Sequence, residues 1–121
     1  MGTRHAKLLQ KNYKHDLFAF RTYRGQIHNS LSITNISSWN EFEDIRPDIA
    51  FITNPTFKHI ETATECAKRG CSLFIEKPIG SSIRGLDSLL ELVRSNNLST
   101  YVAYNLRFHP IIDYLKKTSK K

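Results

Sequence analysis

Three polar stops in this sequence have residue types and positions that could do chemistry. The stretch Leu73 to Ser82, LFIEKPIGSS, ends an apolar run in Glu76-Lys77-Pro78, followed by a glycine and two serines. Asn54 follows the run DIAFIT and is itself followed by Pro55, with His59 downstream. Asn105 follows TYVAY, with Arg107 two residues on. A carboxylate, an ammonium and a ring-locked proline at the lip of a strand make either a turn or a site. As a site, the ammonium can stabilise a negative charge growing on a substrate oxygen and hand over a proton. As a turn, Lys77 is a solvated surface group, Asn54 is a helix cap or Asx turn, and Arg107 pairs with a carboxylate. His59, one helical turn inside, packs against the sheet or touches a ligand.

The elements around these stops decide whether they can meet. Ala6, Leu9 and Tyr13 recur at helical spacing and predict a helix from Thr3 to about Lys14. DLFAFRTY, Asp16 to Tyr23, reads as a strand stopped by Gly25, and LSIT, Leu31 to Thr34, as a second. Ser38-Trp39-Asn40-Glu41 fits a capping box that opens a short helix ended by Pro47. Asp48 to Thr53 and Ser72 to Glu76 are apolar runs without polar alternation, as expected of strands covered on both faces. Between them lies a helix with Ile60, Ala63 and Ala67 on one face and Gly70 as its stop. Ser81 and Ser82 are expected to cap the next helix, with Ile83, Leu86, Leu90 and Val93 as its apolar face and Asn96-Asn97 as its end. Thr100 to Tyr104 is a further strand, and a last helix opens near Pro110.

Strand and helix alternate throughout, which specifies an α/β fold with a parallel sheet and helices on both faces. Ligands of such sheets bind beyond the carboxyl ends of the strands. Asn54, Glu76-Lys77-Pro78 and Asn105 each follow a strand, so they are expected along one edge.

Composition bounds the rest. The 121 residues suffice for one domain, and 40% hydrophobic with 24% charged residues fits a globular chain. No apolar run approaches the roughly 20 residues of a membrane span. The opening MGTRHAKLLQKNYKH has no apolar segment with a small-residue cleavage site, so a cytoplasmic protein is expected. Cys66 and Cys71, five apart, fit free thiols better than a metal site or disulfide framework. The net charge of +7 invites a nucleic-acid reading. The charge is scattered, however, over Arg4, Lys7, Lys11, Lys14 and the tail Lys116, Lys117, Lys120 and Lys121. With no zinc spacing, RNA-reading motif or repeat, a phosphorylated small ligand accounts for it as well as a polymer.

Taken together, the Asn54-Pro55 turn with His59, the Glu76-Lys77-Pro78 stop and Tyr104-Asn105-Leu106-Arg107-Phe108-His109-Pro110 resemble the dinucleotide-binding half of the glucose–fructose oxidoreductase and inositol dehydrogenase (Gfo/Idh/MocA) family. Gly2-Thr3-Arg4-His5 is similar to the last glycine of that family's G-x-G-x-x-G loop and the residues just after it. The resemblance therefore implies a Rossmann-like parallel sheet lacking the first strand and most of the glycine loop. It makes residues 1–121 a partial NAD(P)-binding domain, with the substrate domain absent. An internal methionine taken as the start, or a broken gene, would give such a sequence.

The resemblance implies hydride transfer between a nicotinamide and a sugar- or cyclitol-like hydroxyl or carbonyl. Lys77 would then be catalytic and Glu76 would contact the nicotinamide ribose. Gly2, Arg4, His5, Asn54, Pro55, His59, Asn105 and Arg107 would join them in cofactor binding, with His109 the least defined of the set. No metal is implied. The strand Asp16 to Tyr23, which the resemblance makes the family's second, ends in Phe20-Arg21-Thr22-Tyr23-Arg24-Gly25, without the acidic residue that holds a ribose 2′-hydroxyl. Arg21 and Arg24 suit a 2′-phosphate instead, so NADP is favoured over NAD. The expected partners are a dinucleotide and a sugar-like substrate, with neither nucleic acid nor membrane, and a homo-oligomer at full length. Incompleteness predicts a fragment inactive alone. The alternative is a non-catalytic Rossmann-like binding module that needs a partner chain.

Overall fold

The computed structural model describes residues 2–21, 31 and 33–119. Its elements run α1 (Gly2–Asn12), β1 (Phe18–Phe20), β2 (Thr34–Ile36), α2 (Trp39–Ile45), β3 (Ile49–Ile52), α3 (His59–Lys68), β4 (Ser72–Ile75), α4 (Leu86–Ser95), β5 (Thr100–Val102) and α5 (Pro110–Thr118). Short 3-10 turns at Thr56–Lys58 and Asn105–Phe108 lead into α3 and α5. The fold is α/β with parallel strands, as the alternation of elements requires.

All pairing among the described strands is parallel. Among the described residues the ladders form two sheets, a pair β1-β2 and a triplet β3-β4-β5. In the triplet Ile52, Ile75 and Val102 share one register level. Side chains alternate faces along a strand, so Leu73 and Ile75 join Ile52 in one apolar layer. Ala63, Cys66 and Ala67 of α3 and Leu89 and Val93 of α4 complete that core. The two alanines have no accessible surface, and their small side chains let α3 lie close on the strands. On the opposite face the rings of Phe51 and Phe74 pack 5.0 Å apart.

Local signals explain several boundaries. Ser38 and Glu41 form the expected capping box: the Glu41 amide donates to Ser38 Oγ at 3.2 Å, and the Ser38 amide donates to Glu41 Oε2 at 3.0 Å. The Ser37 amide, donating to Glu41 Oε2 at 2.9 Å, is the chief cause holding the Glu41 carboxyl below its ordinary value, with the Ser38 hydroxyl and amide assisting. Gly70 ends the α3 region at φ 77°, a conformation glycine adopts without strain. Pro110 opens α5 at its first turn.

Other expectations are corrected. α4 starts at Leu86, and neither Ser81 nor Ser82 caps it; Gly85 at φ 82° occupies that position. Ser82 Oγ instead accepts from the Arg84 amide at 3.4 Å, a local turn that competes with capping. Starting the helix later moves its buried stripe to Leu89 and Val93, leaving Ile83 84% and Leu90 43% exposed. The second strand lies at Thr34–Ile36 rather than Leu31 to Thr34, because Ile36 is the residue the core takes in. β1 is shorter than Asp16 to Tyr23, and the part of that run beyond Arg21 lies outside the described residues. β3 is covered at its carboxyl end, whereas Ile49 at its start is exposed.

Candidate functional site

Because Ile52, Ile75 and Val102 are level, the chain leaves all three strands at a common carboxyl edge. The ladder extends one step further there: the Glu76 amide donates to Ile52 O at 3.0 Å, and the Ala103 amide to Ile75 O at 2.9 Å. Asn54, Lys77 and Asn105 come immediately after, which brings the three polar stops to one edge.

Glu76 anchors this edge. It is 7% exposed, receives His5 Nε2–H on Oε1 at 2.6 Å, and receives its neighbour Lys77's amide on Oε2 at 3.2 Å. The hydrogen bond from His5 is the chief cause holding the Glu76 carboxyl below its ordinary value, with burial opposing and the Lys77 amide assisting. The His5 ring lies 5.6 Å from Phe51 and 5.5 Å from Phe74, so α1 covers the aromatic face of the sheet just where the strands end. One turn earlier in α1, a Cβ on Gly2 would stand 2.8 Å from Thr53 Oγ1. The helix start and the end of β3 approach as closely as a residue without a side chain allows. Arg4, in the same turn, is exposed.

The turn after β3 is fixed by α3. Asn54 Nδ2 donates to Thr62 Oγ1 at 2.7 Å, while Asn54 Oδ1 is buried and has no hydrogen-bond partner among the described residues. His59, only 2% exposed, places Nε2 2.8 Å from Asn54 O and Nδ1 2.9 Å from Pro78 O. It therefore bridges the turns after β3 and β4 from inside, away from solvent. The Lys77–Pro78 peptide is cis. Lys77 and Pro55 are exposed at the edge. Asn105 and Arg107 lie on the exposed 3-10 turn beyond β5, and the His109 ring caps α5 by accepting from the Ile111 amide at 3.3 Å.

Arg21 stands apart from this group, at the end of β1 in the other sheet. Its side chain is exposed, and Nε donates to Asn35 Oδ1 at 2.8 Å. Arg24 lies outside the described residues. A groove of 470 Å³ between Ile60, Thr64 and the segment from Gly80 to Gly85 contains none of the candidate residues. Buried polar groups converge instead at the open carboxyl edge. Three participants carry no local sequence signal: Thr53 against Gly2, Thr62 on Asn54, and the pairing of His5 with Glu76. Among the described residues no group of three or more His, Cys, Asp or Glu side chains is placed to hold a metal ion. No helix described is long and apolar enough to cross a membrane.

This arrangement has relatives. The chain is 28% identical to the uncharacterized oxidoreductase YrbE of Bacillus subtilis, over 73% of this chain and 30% of that protein. A probable dehydrogenase from Thermotoga maritima superposes with a TM-score of 0.81 at 22% identity, covering 98% of this chain and 37% of the other. The myo-inositol 2-dehydrogenase of Lactobacillus plantarum gives a TM-score of 0.79 at 25% identity, with coverage of 98% and 37%. The chain thus spans about a third of the length of these relatives. Residues 1–104 match the GFO_IDH_MocA family, described as an oxidoreductase family with an NAD-binding Rossmann fold, and the chain belongs to that family.

Proposed function

We propose that this chain is the dinucleotide-binding portion of an oxidoreductase acting on a sugar- or cyclitol-like hydroxyl or carbonyl, with Lys77 as its proton-handling residue. The observation that carries this reading is the carboxyl edge itself, where Gly2, His5, Asn54, Glu76 and Lys77 are drawn together by named contacts. One feature fits a bound dinucleotide: Asn54 Oδ1 is a buried acceptor lacking a donor among the described residues.

The nicotinamide, when bound, supplies or accepts the hydride. The chain's own residues do the rest. Glu76, kept ionised by His5, fixes the backbone that presents Lys77. The exposed Lys77 ammonium stabilises negative charge on the substrate oxygen and exchanges a proton with it. Asn54 and Pro55 border the dinucleotide from β3, Arg4 from α1, and Asn105 and Arg107 from beyond β5. His59 supports Asn54 from beneath.

We assign the cofactor as NADP, with NAD as the weaker ligand, because Arg21 and Arg24 offer guanidinium groups where an acidic residue would select NAD. Fluorescence titration of NADPH and NADH tests this directly. Arg21→Ala should weaken NADPH binding several-fold and leave NADH unchanged; an equal effect on both removes the basis for NADP.

The remaining parts of the reading rest on the relatives' length and on chemistry. The substrate domain lies outside this chain, and the chain alone turns over no substrate. At full length the protein is a homo-oligomer of the cytoplasm, where the buried, unpaired Cys66 and Cys71 stay reduced. Its partners are a dinucleotide and a small substrate rather than nucleic acid.

One observation favours a second reading, a non-catalytic module completed by a partner chain. β1-β2 and β3-β4-β5 form separate sheets, so β1 and β3 each have one edge without a ladder partner among the described residues. Such edges accept a strand from another chain.

A further inference from the structure

His59 has an unusual hydrogen-bond environment for a buried histidine. Both ring nitrogens face backbone carbonyl oxygens, Nδ1 with Pro78 O at 2.9 Å and Nε2 with Asn54 O at 2.8 Å. Carbonyls only accept. A neutral imidazole has one donor and one acceptor, so it could satisfy only one of the two contacts and would turn a lone pair toward the other oxygen. Rotating the ring by half a turn does not help, because it presents carbon atoms to both carbonyls. The doubly protonated ring donates to both, and each bond then gains from the positive charge of its donor.

We infer that His59 is a buried imidazolium that clamps the turn after β3 to the turn after β4, and that it is a positioning residue for Asn54 and Lys77. The two carbonyls belong to the residues that flank the chemistry: Asn54 itself, and Pro78, next to Lys77. The first turn of α3 thereby sets the separation of the two turns. Thr62 of the same helix holds the Asn54 side chain, so α3 grips that residue at its carbonyl and at its amide. A side chain with one donor would hold one turn and release the other. The positioning role rests on the oxidoreductase reading, whereas the protonation state of the ring does not.

The test is nitrogen-15 NMR of the 121-residue chain at neutral pH, with the His59 ring assigned through its own backbone connectivities. Both ring nitrogens are expected to show one-bond couplings to slowly exchanging protons. A ring with one unprotonated nitrogen overturns the inference, as do ring protons that exchange as fast as those of free histidine. His59→Phe keeps a planar ring and removes both donors. It should shift the amide resonances of Asn54, Thr56, Lys77, Ile79 and Gly80 while those of α4 and β5 stay in place. Unchanged resonances in both turns would refute the positioning role. Neither measurement needs a dinucleotide, so failure here is separable from failure to bind NADPH.

Discussion

Glu76 is placed where a carboxylate would ordinarily be costly, at the end of a buried strand, and His5 and the Lys77 amide offset that cost. Its carboxyl titrates below the ordinary value of 4.5, so the folded chain holds this proton less tightly than the unfolded chain does. The stabilisation is therefore complete above the unfolded value and is lost as pH falls through the folded one. Glu76→Gln should destabilise the chain by about 1.5–3 kcal/mol at pH 7, the range for a hydrogen bond to a charged group. The difference from wild type should shrink as the pH is lowered through the carboxylate range. Urea unfolding at pH 7 and pH 3.5 checks both, and a difference independent of pH would contradict the assignment. Gly2 makes a second residue-scale case. Gly2→Ala puts a methyl group against Thr53 Oγ1 and should cost about 1–3 kcal/mol. In a double-mutant cycle Thr53→Ala should recover most of that loss; additive effects would show that the close approach is not the cause.

Among the elements, α2 is tied to α3 through Arg69. Its guanidinium lies 4.4 Å from the centroid of the Trp39 ring, with Nε on Glu43 and Nη1 on Glu65, each at 2.8 Å. A planar fork makes all three contacts and a lysine cannot, so Arg69→Lys should recover little of what Arg69→Ala loses, about 1–2 kcal/mol by thermal unfolding. Recovery of most of the loss by lysine would mean that charge alone matters. The capping box at Ser38 and Glu41, the proline opening α5 and the parallel pairing of the three apolar runs were all legible in the sequence, because each rests on neighbours in the chain or on hydrophobic pattern. The start of α4 was not. Two serines offered a cap, but Gly85, which takes a positive φ without strain, set the boundary. The pairing of His5 with Glu76 spans 71 residues, and a single sequence carries no local signal for a contact of that range. The three polar stops were legible as one edge; the bonds that hold them there were not.

At the scale of the molecule, the described strands form two parallel sheets, and exposed apolar side chains run from Tyr101 and Tyr104 through Leu106 and Phe108 to Ile111, Tyr114 and Leu115. Exposed apolar side chains this closely spaced in the chain are a candidate surface for association. The isolated chain should therefore self-associate in a concentration-dependent manner, and Phe108→Ser with Tyr114→Ser should reduce that association. Sedimentation velocity checks it, and a monomer at all concentrations would show that the surface tolerates water. Everything proposed for the intact enzyme depends on a nicotinamide dinucleotide binding at the carboxyl edge of β3, β4 and β5. Amide chemical-shift mapping on addition of NADPH examines that binding residue by residue. Saturable shifts concentrated at residues 2–5, Thr53, Asn54, Glu76, Lys77 and residues 105–107 are expected. Shifts centred on the groove between α3 and Gly80, or no shifts in a folded chain, would overturn it.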